Sequence, residues 1–461
     1  MTSDEILGSS FRDPSGFVFR RAGDVLRQVN QSYQQDYRAL MESGLYRHAT
    51  EGGWLIPHEE LDSPLADPNT GWRLIRPLPV PFISYPYEWS FSQLKDAALA
   101  TLAIQKQALQ HGMSLKDASA YNLQFDRGRA VLIDTLSFER YVQGEPWPAY
   151  GQACRHFLAP LALMALRDVR LQQMWLANLD GIPLDLAAAL LPARSRLSLS
   201  LLVHLHWHAK MQRAKGSSAQ KPSAAKFGIK QLMGILDNLE SGIAGLKWKP
   251  VGTEWADYDQ ECGYSSAATE HKTKLVSQWI EEIAPKTVWD LGANTGRYSR
   301  LASDRGIFTV AFDKDPAAVE KNYLRVKEHG EKNLLPLVMD LTNPSPALGW
   351  NHEERFSLAE RGPADLVLAL ALIHHLAIGE NVPLGRIAKF LHRIARNLVI
   401  EFVPSTDPQV SRLLVVRKDI FADYTQAAFE SEFGRFFTLC RQEAVVQTPR
   451  VLYWMRRRET E

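Results

Sequence analysis

Near residue 270 the hydrophobic pattern changes character. Beyond it, short apolar runs alternate with amphipathic stretches of helical period, which predicts βαβ units on a parallel sheet. HKTKLVSQWIEEIAP (271–285) predicts an amphipathic helix, TVWDLG (287–292) a first strand, and RYSRLASDRG (297–306) the helix behind a glycine turn. FTVAFDKD (308–315), LLPLVMDL (334–341), ADLVLALAL (364–372) and NLVIEFV (397–403) predict strands two to five. PAAVEKNYLRVKEHG (316–330) and VPLGRIAKFLHRIA (382–395) predict helices between them, with Pro316 suited to a first helical position and Asp315 to its cap. A helical stretch over 420–433 precedes FTLCRQEAV and RVLYWMRR, which predict a closing antiparallel pair. The sum is a seven-stranded, doubly wound α/β sheet.

Before residue 270 the pattern is mixed. GFVFRRAGDVLRQV (16–29) reads as a hairpin, PVPFISYPYEW (79–89) as extended chain, and FSQLKDAALATLAIQKQALQHG (91–112) as a helix. Two leucine- and alanine-rich helical stretches follow, at 157–179 and 191–213. KGSSAQKPSAAKFG (215–228) is small, polar and basic, an exposed linker or loop. The domain division expected is therefore an α+β domain with a helical second half over 1–245, and the doubly wound domain over 246–461.

Composition narrows the class. At 461 residues the chain exceeds one ordinary core. Lys plus Arg number 53 against 52 Asp plus Glu, so no global field favours nucleic acid or anionic lipid. Cys154, Cys262 and Cys440 lie far apart without metal-type spacing, and no metal site is expected. The N-terminus lacks a basic segment followed by an apolar core, and no apolar run approaches a membrane span. The expectation is a cytoplasmic, multidomain protein.

The chemistry centres on Asp290-Leu-Gly292-Ala-Asn294-Thr-Gly296. A dinucleotide turn needs a glycine two positions after the first, where backbone approaches the pyrophosphate. Here that glycine is missing, and a carboxylate ends the strand where a diphosphate would be repelled. The pattern resembles motif I of class I S-adenosylmethionine (SAM) dependent methyltransferases. That resemblance spans about 255–457 and implies SAM as cofactor, bound by Asp290, Gly292, Asn294 and Gly296. It further implies that Asp313, ending strand two, accepts from the ribose hydroxyls. Asp340 and Leu341, after strand three, would meet the adenine, and Ala369 would line the edge of strand four. His374 and His375 follow that strand; either one is a base for the acceptor's proton, or both are structural. Tyr258, Tyr264 and Lys272, ahead of strand one, either close over the site or simply pack.

A weaker resemblance covers 75–140. Asp117, Asn122 and Asp134 are spaced like the catalytic loop and metal-binding segment of kinase-like folds. Departures are plain: Leu115 replaces a histidine, Thr-Leu follows Asp134, no glycine-rich loop is visible, and no lysine precedes Lys95. A degenerate kinase-like domain is implied, or turn residues around a hairpin. His204 and His208 share a helix face without a third ligand nearby, and read as surface or interface histidines. The layout as a whole resembles a bacterial family of nodulation host-specificity methyltransferases. The expected activity is methyl transfer from SAM to an O or N acceptor that the sequence does not identify: a small molecule, a glycan intermediate or a protein. The alternatives are a SAM-binding regulatory protein with a pseudokinase-like module, and phosphotransfer by the N-terminal half.

Overall fold

The computed structural model describes residues 4–215, 228–251, 265–408, 410 and 423–459. Most of the 215–228 linker, and Tyr258, Tyr264 and Cys262, lie outside the described residues. The chain divides into two units, Met1–Lys249 with Ala347–Arg355, and Pro250–Pro346 with Phe356–Glu461. The first division falls four residues past the 245/246 boundary read from sequence. The excursion at 347–355 has no sequence signal.

In the first unit, β1 (Glu5–Ile6), β2 (Gly16–Arg21), β3 (Asp24–Asn30), β4 (His58–Leu61) and β5 (Gly71–Pro77) form one antiparallel sheet in the order β1-β2-β3-β5-β4. Helix α1 (Gln34–Glu42) follows β3, and its Tyr37 packs with Val29, Tyr33, Ile75 and Leu136 in a small core. Helix α2 (Phe91–Gln110) starts where Ser90 accepts from the Gln93 amide and Gln93 reaches back to Ser90, two orphan donors satisfied at once. Two short pairs come next, β6 (Met113–Leu115) with β9 (Phe138–Arg140), and β7 (Leu123–Asp126) with β8 (Arg129–Leu132). Helical segments complete the unit. A five-stranded sheet, with helices Gln34–Glu42 and Leu45–Glu51 between β3 and β4, is thus followed by a helical part with Asp117, Asn122 and Asp134 set between short strands.

The 347–355 segment belongs with this unit. Arg12 makes a forked pair with Glu354, its Nε at 3.0 Å and Nη2 at 2.6 Å, and the Arg355 guanidinium lies 3.9 Å from the Tyr121 ring centre.

The second unit is built on β10 (Thr287–Leu291), β11 (Phe308–Asp313), β12 (Leu334–Val338), β13 (Ala364–Ala369), β14 (Ala395–Phe402), β15 (Phe437–Ala444) and β16 (Val451–Arg457). The order is β12-β11-β10-β13-β14-β16-β15; the first five are parallel, while β16 runs against β14 and β15 against β16. Pro336 sits in β12, an edge strand, where a missing N–H does least harm. Helix α3 (Ser266–Ile283) is capped by Ser265 and buries Val276, Trp279 and Ile280 against Val288, Leu366, Leu368 and Val399. Asp315 caps α4 (Pro316–His329) by accepting from Ala317 and Ala318, with Pro316 in the first turn and Gly330 left-handed at the end. Helix α5 (Leu384–Ile394) buries Leu384, Ile387, Ala388, Leu391 and Ile394 at helical spacing. The helix expected over 297–306 is only Ser299–Ser303. The chain moves outward from β10 to β12 and then returns to β13, so the crevice between β10 and β13 is the topological switch point where open sheets bind ligands.

Candidate active site

A cavity opens at that switch point, lined by Asp290, Gly292, Asn294, Asp313, Asp340 and His375 among others. Two glycines shape its turn. Gly292 has φ +73°, and a Cβ there would lie 3.3 Å from Leu372. Gly296 has φ +81°, and a Cβ would press within 2.6–2.8 Å of Asn322 and Arg300 side chains. Arg300, buried, donates to the carbonyls of Thr295 (2.7 Å) and Gly296 (3.0 Å) and to Asn322 (2.9 Å), so the turn is braced from behind.

The acids are held by neutral donors. Asp313 takes the Asn294 N–H at 2.7 Å and the Asp315 N–H at 2.8 Å, joining the end of β11 to the glycine turn. Asp290 accepts from the Ser299 hydroxyl at 2.6 Å. Burial pushes both carboxyls up to about 6. Asp340 is exposed and accepts from the Thr342 N–H and hydroxyl at 2.8 and 2.7 Å. Leu341 also lines the cavity; Gly296 and Ala369 are buried behind it, and Leu370, Ala371 and Leu372 form the wall beyond β13.

The two histidines separate. His375 lines the cavity, whereas His374 is fully buried beside it, the rings 4.1 Å apart. Burial, helped by Lys314 and Arg450, pushes His375 down to about 4, and His374 lies well below its ordinary range for the same first reason. Both are neutral at pH 7.

Lys272 was singled out from the sequence, but the charged network that holds it was not. Lys272 lines the cavity and is almost fully buried, its Nζ 2.6 Å from Glu401 and 4.8 Å from the Tyr298 ring centre. Glu401 also accepts the N–H of Ala371 at 2.7 Å, a residue held at φ +51°. Arg450 lies 3.9 Å from Glu401 and forks onto Asp407 at 2.7 and 3.0 Å. One available signal was Glu401 itself, a lone charge inside the apolar run NLVIEFV, since a charge in a central strand needs a partner.

The second candidate cluster lies in the first unit. Asp134 Oδ1 accepts the Leu136 N–H at 2.9 Å and faces Arg27 Nη1 at 2.8 Å, while Oδ2 accepts from Ser137 at 2.8 Å. The Asn122 amide donates to Ser137 at 3.1 Å. Asp117 is taken by the Ser119 N–H and the Gln152 amide, each at 2.8 Å. Asp13 lies 3.3 Å from Arg27 and 3.8 Å from Lys116. A guanidinium therefore already neutralises Asp134, and the Asn122 amide nitrogen is engaged by Ser137. His204 is likewise engaged, by Tyr150 (2.7 Å) and Asn238 (2.9 Å), and no metal-holding group of three ligands occurs among the described residues.

The strand order, the glycine turn and acids on three successive strand ends define the second unit as a class I methyltransferase fold. No protein-family model matches the chain. Over 463 residues it is 35% identical to nodulation protein NoeA of Rhizobium meliloti (strain 1021), covering 98% of this chain and 96% of that protein. The chain belongs to the NoeA family. Among solved structures, magnesium protoporphyrin IX methyltransferase (ChlM) from Synechocystis PCC 6803 is 17% identical, with a TM-score of 0.32, over 41% of this chain and 83% of that one. The bifunctional kinase-methyltransferase WbdD is 14% identical, with a TM-score of 0.30, over 43% of this chain and 41% of its own. The chain thus spans about two fifths of WbdD. Likenesses of that strength carry no argument, and the fold assignment rests on strand order and register.

Proposed function

We propose that the chain transfers a methyl group from SAM to an oxygen or nitrogen acceptor, with the second unit as its catalytic body. One observation carries the reading: a single switch-point cavity gathers Asp290, Asp313 and Asp340 around a turn with no second glycine for a pyrophosphate. Those residues fit a cationic amino-acid nucleoside. Asp290 sets a negative potential at the end of β10 for an ammonium. Asp313 keeps lone pairs for two ribose hydroxyls, and Asp340 with Leu341 offers an acceptor and an apolar surface to an adenine.

Bound SAM would supply an electrophilic methyl on a sulfonium whose thioether leaves without an acid. The protein's work is then to align the acceptor and exclude water. Leu370, Ala371 and Leu372 form that wall, and Glu401 fixes its turn through the Ala371 N–H. A hydroxyl or ammonium acceptor must also lose a proton. His375, which lines the cavity as a neutral imidazole, takes it; His374 supports it from behind. Small molecules, glycan intermediates and proteins all remain candidate acceptors, in a cytoplasmic setting.

Calorimetry with SAM, S-adenosylhomocysteine and NADH tests the site. Binding of the first two is expected; NADH binding without SAM binding overturns the reading. Radiolabelled SAM with fractionated extract then separates transfer from mere sensing. His375→Ala should abolish transfer while leaving SAM affinity intact.

A further inference from the structure

The near-neutral total charge hides a strongly uneven distribution. Between Asp185 and Asp237 the sequence holds eight Lys and Arg residues and no Asp or Glu. The same stretch carries the most exposed large apolar side chain among the described residues, Leu197 at 88%, with Leu199 at 64%, Met211 at 59% and Trp207 at 55%.

These residues lie on one packed group of helical segments in the first unit, Leu184–Leu190, Ala193–Leu197, Leu199–Leu201, Leu202–Trp207 and His208–Lys215. The group is built as a two-sided layer. Its inner side buries Leu201, His204, Leu205 and Ala209, and Ser200 and His204 bond to Asn238 at 3.0 and 2.9 Å. Ser195 bonds His206 at 2.8 Å, which ties the Leu197 turn to the Trp207 segment. On the outer side, Trp207 and Met211 are one helical turn apart with Lys210 between them, and Arg194 and Arg196, both exposed, flank Leu197.

We propose that this face, residues 186–211, docks on the surface of an anionic lipid bilayer. Leucine, methionine and tryptophan side chains enter the interfacial zone while Arg194, Arg196 and Lys210 meet the lipid headgroups. The chemistry separates this partner from its rivals. A nucleic acid would repay the cations but not exposed leucines, and it would want several stacking rings where this face has one. A second copy of the chain would bring like charges together across a two-fold interface. No helix among the described residues is long and apolar enough to cross a membrane, so docking is peripheral.

Flotation of the full chain with vesicles tests this. Phosphatidylcholine vesicles containing about a third phosphatidylglycerol should carry the protein up, pure phosphatidylcholine should not, and added salt should weaken the binding. Arg194→Gln with Arg196→Gln should weaken it roughly fivefold per arginine. Leu197→Asn with Leu199→Asn should weaken it about tenfold or more, with melting unchanged because both side chains are exposed. No flotation on anionic vesicles overturns the proposal, as does flotation that both double variants leave unchanged. Binding to an RNA oligonucleotide or self-association that Leu197→Asn with Leu199→Asn removes, without vesicle binding, overturns it in favour of that partner. The salt series uses the unmodified protein, so the question stays decidable if a variant misfolds.

Discussion

Two acid-bearing loop clusters, one in each unit, use similar residues to opposite ends. In the second unit Asp290 and Asp313 are bonded by a hydroxyl and by backbone N–H groups, and the cation nearest Asp290, Lys272, is taken by Glu401. Their negative charge is therefore still available to a ligand. In the first unit Arg27 spends the charge of Asp134, and Ser137 ties that carboxylate to Asn122. The lesson is that spacing places the acids, but the neighbouring donors decide whether they can bind anything. Asp134 is closed by a guanidinium, whereas Asp290, Asp313 and, in the first unit, Asp117 are held by neutral donors.

The most disruptive way to probe this contrast is Lys272→Met. It leaves the fully buried Glu401 facing Arg450, at 3.9 Å, without Lys272, and breaking a buried pair costs up to about 3–5 kcal/mol. Hydrogen exchange in peptides spanning β14 should report it, since a chain of two units need not unfold in one step. Unchanged protection there would mean the network does not hold β14 and the Ala371 turn. Next in size is Asp313→Ala, which removes the carboxylate proposed to accept from two ribose hydroxyls. At about 1.5 kcal/mol per hydrogen bond to a charged group, SAM affinity should fall roughly a hundredfold by calorimetry. Asp134→Ala should leave that affinity alone, and a comparable drop from it would erase the distinction between the clusters.

A smaller effect is expected from breaking the brace itself. Arg27 and Asp134 are not fully withdrawn from solvent, so Asp134→Ala should cost about 1–3 kcal/mol of stability. Magnesium with ATP should not raise the melting temperature of the unmodified protein. A rise that Asp134→Ala abolished would restore phosphotransfer as a live activity for the first unit.

How far these contrasts were legible follows from range along the chain. The strands of the second unit were readable because they are short apolar runs alternating with helical stretches, the pattern of a parallel sheet. Asp290, Gly292 and Asp313 were readable because they end such runs. Lys272–Glu401 and Arg27–Asp134 join residues 129 and 107 positions apart, and no local pattern records such pairs. Arg27 adds a further reason: the kinase-like pattern has a strand lysine at the phosphates, and the basic residue on β3 is instead an arginine paired with the acid. The apolar, basic face at 186–211 was hidden by averaging, because +1 for the whole chain says nothing about where the charges sit. His374 and His375 could not be told apart before a backbone existed, since adjacent residues on a turn face different ways.

The subtlest test of the contrast is pH. Asp290 and Asp313, pushed up to about 6, bind protons in the folded state between about pH 4, where unfolded carboxyls titrate, and pH 6. Their contribution to the free protein's stability is thus present below that window and is lost as pH rises through it. Ligand binding runs the other way, because a cationic ligand needs both acids ionised. SAM affinity should be greatest near pH 7 and should weaken, up to about tenfold per unit per carboxylate, as pH falls below 6, with a separate decline above about pH 8 as the ligand's own α-ammonium loses its proton. Calorimetry in buffers of different ionisation enthalpy should show proton uptake above about pH 8, because the bound ligand keeps its α-ammonium, and proton release at about pH 5.5. His375, neutral down to about 4, and Lys272, paired with Glu401, do not account for a change in that range. An affinity flat from pH 5 to 7 would mean that the acids of the second unit are as closed to a ligand as Asp134 is in the first.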